Sequence, residues 1–248
     1  MRAELIGLAA LGAAAFAAPA MAFDDYGAEV SVATAVDLDS SESSDTFLSA
    51  TSYIFGITYK DIPRAEAEFL SHASNVSVQT NTEADDPVFA LELYGEHSYF
   101  LAASDGDVLV AKLGFFAQEN MLFTLGLQRE DIPNAGDEED DTLEDVEIAM
   151  KWVPKLGKHF MNIEAEVVFI DDEDNNEAFG ALAEFYFNQD FSVGASVGFS
   201  TFEDDDNPAY GVGARYFVIP TASIELGFGY DPDFDDSGVL AAGLTLRF

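Results

Sequence analysis

Asp231, Asp233 and Asp235 recur at a spacing of two in "DPDFDDSG", a run of oxygen donors that could take a calcium ion. A calcium loop of the helix–loop–helix kind needs glycine at its sixth position and an acid at its twelfth. Counted from Asp231, those positions hold Asp236 and Ala242, and Gly238 comes too late for the sharp turn. "DDEDNNEAFG" fails in the same way, so no metal ligand set is assigned and no cofactor is called for. His72, His97 and His159 are the candidate general bases, which catalysis would need in a fixed position. They sit beside expected turns, and none can be paired with a nucleophile. "GASVGF" and "GFGYD" lack phosphate-loop spacing and lead into no helix. No catalytic residue is nominated, and the chain is read as a non-enzyme.

The chemistry that remains is charge on alternating strands. In "VEIAMKW", Val146, Ile148, Met150 and Trp152 oppose Glu147, Ala149 and Lys151. In "MNIEAEVVF", Met161, Ile163, Ala165, Val167 and Phe169 oppose Asn162, Glu164, Glu166 and Val168. "FGALAEFYF", "IELGFGY" and the terminal "LAAGLTLRF" repeat the pattern. One face is apolar and the other mixes glycine, hydroxyls and charge, which is the period of a β-strand between two unlike surroundings. A soluble sandwich would share that period. Three features favour a membrane barrel instead. The strands run to about 10–13 residues, long enough to cross a bilayer at a tilt. Aromatics such as Trp152, Phe169, Phe187, Tyr216, Tyr230 and Phe248 fall near strand ends, as in an interfacial girdle. The opposite face is glycine-rich, which suits a crowded interior.

Composition bounds the partners. The formal charge of −37 excludes nucleic acid, whose binding needs a basic surface. Aromatic residues at 13% and dense strand patterning exclude a disordered acidic chain. There is no cysteine, so an exported form would be held by backbone pairing and packing alone. Residues 1–22 read as a signal peptide: an apolar Ala/Leu run followed by "APAMA", with cleavage expected between Ala22 and Phe23. The remainder, 23–248, reads as a single domain.

The connections alternate in kind. "QEN", "VPKLGK", "NQD" and "VIPTA" are short; "IPNAGDEEDD", "DDEDNN", "EDDDN" and "DPDFDD" are acidic. In an up-and-down meander alternate connections share a rim, so one rim is tight and the other negative. This is the pattern of an outer-membrane barrel with short periplasmic turns and longer external loops. The expected fold is all-β: a transmembrane antiparallel up-and-down β-barrel of about 14 strands, reached by splitting "VFALELYGEHSYFLAA" at "GEHS", with 12 as the alternative. "PRAEAEFLSHAS" alternates poorly and is expected to be a periplasmic turn with some helix.

The segment "YIFGITYKDIPRAEAEFLSHASNVSV" and the terminal "ARYFVIPTASIELGFGYDPDFDDSGVLAAGLTLRF" resemble the small porin family of bacterial outer membranes. The resemblance implies residence in the outer membrane of a Gram-negative bacterium after export to the periplasm. It also implies contact with outer-membrane lipid, a pore, and insertion by the barrel assembly machinery through the C-terminal strand, with Phe248 in the assembly signal. It implies no particular substrate.

If the large apolar residues face lipid, their neighbours line the lumen. That assigns Glu29, Glu92, Glu147, Glu164, Glu166, Glu184 and Glu225 to the interior, with Lys60, Lys112, Lys151, Arg215 and Arg247. The expectation is a cation-preferring channel for passive diffusion of ions and small polar solutes, with a negative vestibule at the acidic rim. Three alternatives stand beside it: a closed structural or adhesive barrel, a barrel enzyme, and a secreted acidic sandwich.

Overall fold

In the computed structural model the alternation closes on itself. The described residues are 25–37, 44–58, 61–82, 86–132, 141–170, 176–201, 208–230 and 238–248. The signal peptide with Ala22 and Phe23, Lys60 and the bulk of the acidic connections lie outside them. The strands are β1 (Asp25–Asp37), β2 (Ser44–Thr58), β3 (Asn75–Asn81), β4 (Val88–Tyr94), β5 (Ser98–Ser104), β6 (Val108–Gln118), β7 (Met121–Ile132) and β8 (Asp141–Trp152). They continue with β9 (Lys155–Leu156), β10 (His159–Ile170), β11 (Glu177–Tyr186), β12 (Phe191–Ser200), β13 (Ala209–Ile219), β14 (Ala222–Tyr230) and β15 (Gly238–Arg247). The two-residue β9 only extends a turn against β10, so the wall has fourteen strands. Each pairs antiparallel with its sequence neighbours, and β1 against β15 joins the two ends. The "GEHS" turn does separate two strands, β4 and β5, and the count of 12 is set aside.

Closure explains how an apolar-alternating chain avoids an open edge, the feature that would otherwise template aggregation. At the seam Val32 lies opposite Leu244 while Ser31 lies opposite Thr245 and Glu29 opposite Arg247. The first kind of pair faces out and the second faces in. Outside, Leu113 and Leu226 are each 65% exposed, and Phe89, Leu127 and Val212 are comparably bare. A continuous apolar belt of this size is unfit for water and fits hydrocarbon. Among the described residues no helix is long and apolar enough to cross a membrane; the strands do the crossing.

Three bulges sit at one rim, the rim of short turns: between Tyr26 and Ala28, between Phe116 and Gln118, and between Phe217 and Ile219. A bulge shifts the alternation locally and re-aims side chains. The shift at Gly27 turns Tyr26 inward, and Phe116 and Phe217 are buried beside the other two. Their inward rings have something to pack against, because the connection between β2 and β3 enters the barrel.

Candidate functional site

Residues 61–74 form an inner segment. Pro63 opens a 3-10 turn (Arg64–Glu66) that runs into a one-turn helix (Ala67–Leu70). His72, with φ of 49°, adopts the left-handed conformation that ends it, and the amides of Ser71, His72 and Ala73 return to carbonyls of Ala67, Phe69 and Glu68. The sequence expectation of a turn with some helix is right about the helix and needs correction about the place. The segment does not lie along the rim; it occupies the lumen.

Apolar and polar anchors hold it there. Ala67 packs with Tyr26, Tyr53, Ile57 and Ala73, and Phe69 with Tyr99, Phe116, Leu122 and Val153. These two clusters are the hydrophobic cores inside the barrel. Glu66, only 3% exposed, accepts a hydrogen bond from the Tyr186 hydroxyl at 2.6 Å and pairs with Lys151 at 2.9 Å. Lys151 also reaches Glu164 at 2.8 Å and lies over the Phe69 ring. Glu68 accepts from the Tyr53 hydroxyl at 3.1 Å and from the Asn75 amide. Arg64 pairs with Asp190, its amide donates to the Gln189 carbonyl at 3.1 Å, and its carbonyl accepts from Arg247 at 2.7 Å. The segment is tied to nearly every side of the wall.

The residues assigned to the interior from sequence fall beside this segment in pairs. Glu29 meets Arg247 at 2.6 Å and Arg215 meets Glu225 at 2.8 Å. Both couples are direct cross-strand neighbours, as are Lys151 and Glu164. Lys112 and Glu147 differ: they sit on β6 and β8 and meet at 2.5 Å across β7. Gly126, the β7 residue in register with both, makes room, since a Cβ there would come within 3.2 Å of each side chain. Glu184 accepts from the Ser192 hydroxyl and lies 2.7 Å from the Tyr186 hydroxyl, whose single proton it shares with Glu66, and Glu166 stands opposite Gly180. Glu92 stands opposite Asn75, at the foot of the inner segment. Lys60 lies outside the described residues. Phe248 carries its side chain on the outer face, 40% exposed, while its amide and carbonyl bond to Ala28 and Gly27 across the seam.

Arg64, Glu66, Glu68, Tyr53 and Tyr186 were not nominated from sequence. The one legible signal was "AEAEFL", two acids among alanine and apolar residues, an odd composition for a solvated turn. Burial pushes the Glu68 carboxyl up to about 8, with the Glu92 and Glu29 carboxylates adding to the rise; the Tyr53 hydrogen bond and Lys151 work the other way. Against this segment the wall leaves a cavity of about 140 Å³, lined by Glu29, Ala65, Glu68, Arg215, Phe217, Ser223, Glu225, Thr245 and Arg247. The histidines serve packing and turns: His72 stacks on Phe116 and bonds the Glu119 carbonyl, and His159 bonds the Phe187 carbonyl.

Residues 127–248 match the family described as "Putative general bacterial porin". No curated protein sequence matches the chain. Among solved structures, the Acinetobacter baumannii outer membrane protein Omp33 superposes with a TM-score of 0.72 at 21% identity, over 90% of this chain and 99% of that one. The KdgM porin, solved in complex with disordered oligogalacturonate, superposes with a TM-score of 0.51 at 6% identity, over 89% of this chain and 99% of that one. At such identities the likeness is one of fold: a closed antiparallel barrel of the porin kind. The resemblance to bacterial outer-membrane porins read from the sequence is borne out, and the family matched is one of channels rather than enzymes.

Proposed function

We propose that the chain is an outer-membrane channel for passive diffusion of ions and small polar solutes, that it prefers cations, and that the inner segment forms its narrowest part. The observation that carries this reading is the interior charge. Among the described residues Lys112, Lys151, Arg215 and Arg247 are each already matched to a glutamate, Lys151 to two of them, whereas Glu184 holds only neutral hydrogen-bond donors. Charged linings set ion preference in pores. The acidic connections between the opposite strand ends supply further negative charge at one mouth, which raises the local concentration of cations. Each exposed charge is screened over about 10 Å at 0.1 M salt, so preference weakens as salt rises.

Planar-bilayer recording across a salt gradient tests the reading. Small-conductance steps with a cation-selective reversal potential are expected, and anion preference would overturn the interior charge assignment. The second reading, a closed structural or adhesive barrel, draws on how completely the inner segment is anchored and how little space remains beside it. Purified protein that inserts yet never conducts would favour that one.

A further inference from the structure

The cavity beside the inner segment contains charges that do not cancel. Arg247 is committed to Glu29, lies 4.6 and 4.9 Å from the rings of Tyr26 and Phe217, and donates to the Arg64 carbonyl. Arg215 is committed to Glu225. Glu68 is the third carboxylate lining the cavity, and its own bonds come from a phenol and an amide, both neutral. Ionised, it adds one uncompensated negative charge beside a polar space. A second feature points into the same space. Ser223 is 1% exposed and lines the cavity, yet among the described residues its hydroxyl has no hydrogen-bond partner. Buried hydroxyls are almost always bonded. Thr245, also lining the cavity, stands opposite Ser223 in the β14–β15 ladder and offers a second oxygen.

We propose that this cavity binds one small monovalent cation of the K+, Na+ or ammonium class, held by the Glu68 carboxylate with the Ser223 and Thr245 hydroxyls, and exchanging with a proton on Glu68. Charge selects a monovalent ion, because a single carboxylate is left to neutralise. Calcium takes six to eight oxygens, several of them charged, and among the described residues no three acidic, histidine or cysteine side chains are placed to hold a metal. Size permits the ion with part of its water: one water-sized sphere occupies about 10–15 Å³, and the cavity measures about 140 Å³. The exchange balances. As the cation enters, the proton leaves the Glu68 carboxyl for solvent and the net charge of the cavity is unchanged. Burial and the carboxylates of Glu92 and Glu29 keep that proton on Glu68 up to about pH 8. The groups facing Glu68 are Tyr53 from β2, Glu92 from β4 and Lys151 from β8, with Glu29, Arg215, Glu225 and Arg247 around the cavity.

The proposal deepens the channel reading, and for its effect on conduction it rests on that reading; binding itself does not require an open pore. The test is proton release from the full-length protein in weakly buffered detergent at pH 7.5 on adding KCl. N-methyl-D-glucamine chloride at equal concentration serves as the control for ionic strength. Up to one proton per barrel is expected with KCl and none with the bulky cation. E68Q, isosteric and still hydrogen-bonded, should release none, and S223A should raise the half-saturating K+ concentration several-fold. Equal release with both salts, or release retained in E68Q, overturns the proposal. A barrel that releases its proton but never conducts overturns the channel reading alone.

Discussion

Glu66 and Lys151 lie 2.9 Å apart, joining a residue from the connection after β2 to the wall strand β8. Through Lys151 the link continues to Glu164 on β10, and through Glu66 to the Tyr186 hydroxyl on β11. One carboxylate buried in the lumen is thereby held by three neighbouring strands of the wall. An ion pair this deep contributes less by its attraction than it costs to break, because the survivor is left charged and unmatched.

K151M therefore loosens the inner segment more than it destabilises the barrel. It strands Glu66 and Glu164, at a cost on the order of 3 kcal/mol for losing one partner of a buried pair, reduced here because the lysine keeps some exposure. Hydrogen exchange should report faster exchange at the Ser71, His72 and Ala73 amides, whose bonds close the helix, with wall strands unchanged. Uniform loss of protection would show that the link holds the barrel rather than the segment.

F69A removes the apolar anchor. Truncating a buried phenylalanine costs about 3–5 kcal/mol, and the lost contacts are with Tyr99, Phe116, Leu122 and Val153. Single-channel conductance is expected to rise, since the segment then spends more time displaced from the lumen. Unchanged conductance would mean that ions pass elsewhere than along Phe69.

G126V tests the space over β7. A side chain at Gly126 would crowd Lys112 and Glu147 and force their ion pair apart. Protein folded in detergent should keep its barrel but melt several degrees lower. A melting point equal to that of the parent would show that the pair can be accommodated around a bulkier residue.

Much of the wall was legible in the sequence because each strand separates two very different surroundings, and a period of two records that contrast. Ser31 and Thr245 inside, with Val32 and Leu244 outside, follow from alternation alone. The inner segment was not legible in the same way. Its residues, Ala65 to Leu70, spell a turn of helix and carry no period that says where the turn goes. Its place depends on partners far along the chain, such as Lys151 and Tyr186, and on bulges that shift the alternation near Tyr26. Cross-strand pairing of Glu29 with Arg247 could be drawn from a closed barrel; the reach of Lys112 across Gly126 could not, without the register of three strands at once.

The docking of the inner segment depends on pH through Glu68. Its carboxyl is raised to about 8 in the folded protein, above the ordinary carboxylate range. A raised value means that the protonated form favours docking: the contribution is full below the ordinary value and is lost as pH climbs through about 8. Between pH 6 and pH 9 in the N-methyl-D-glucamine salt, which the cavity cannot admit, opening should become more frequent. E68Q should show a flat profile. A wild-type profile that stays flat, or that falls with pH, would contradict the burial of this carboxyl.

The final strand carries the prediction with the widest reach. Phe248 places its ring on the lipid face, while its amide donates to the Ala28 carbonyl at 2.9 Å and its carbonyl accepts from Gly27 at 2.7 Å. The backbone bonds close the seam and do not depend on the side chain. A charge at this outer position costs little once the barrel is closed, because it lies near the rim, where lipid-face penalties fall to about 0–1 kcal/mol. F248D should thus fold in detergent and show the heat-modifiable migration of the parent. Recognition of the terminal strand by the assembly machinery, which the family resemblance implies, would instead meet a carboxylate where it expects an aromatic ring. Membrane fractions from cells expressing F248D should contain several-fold less protein than the parent, with the deficit recovered by F248Y. Parent-like membrane levels of F248D would remove Phe248 from the assembly signal and leave it only its place in the seam.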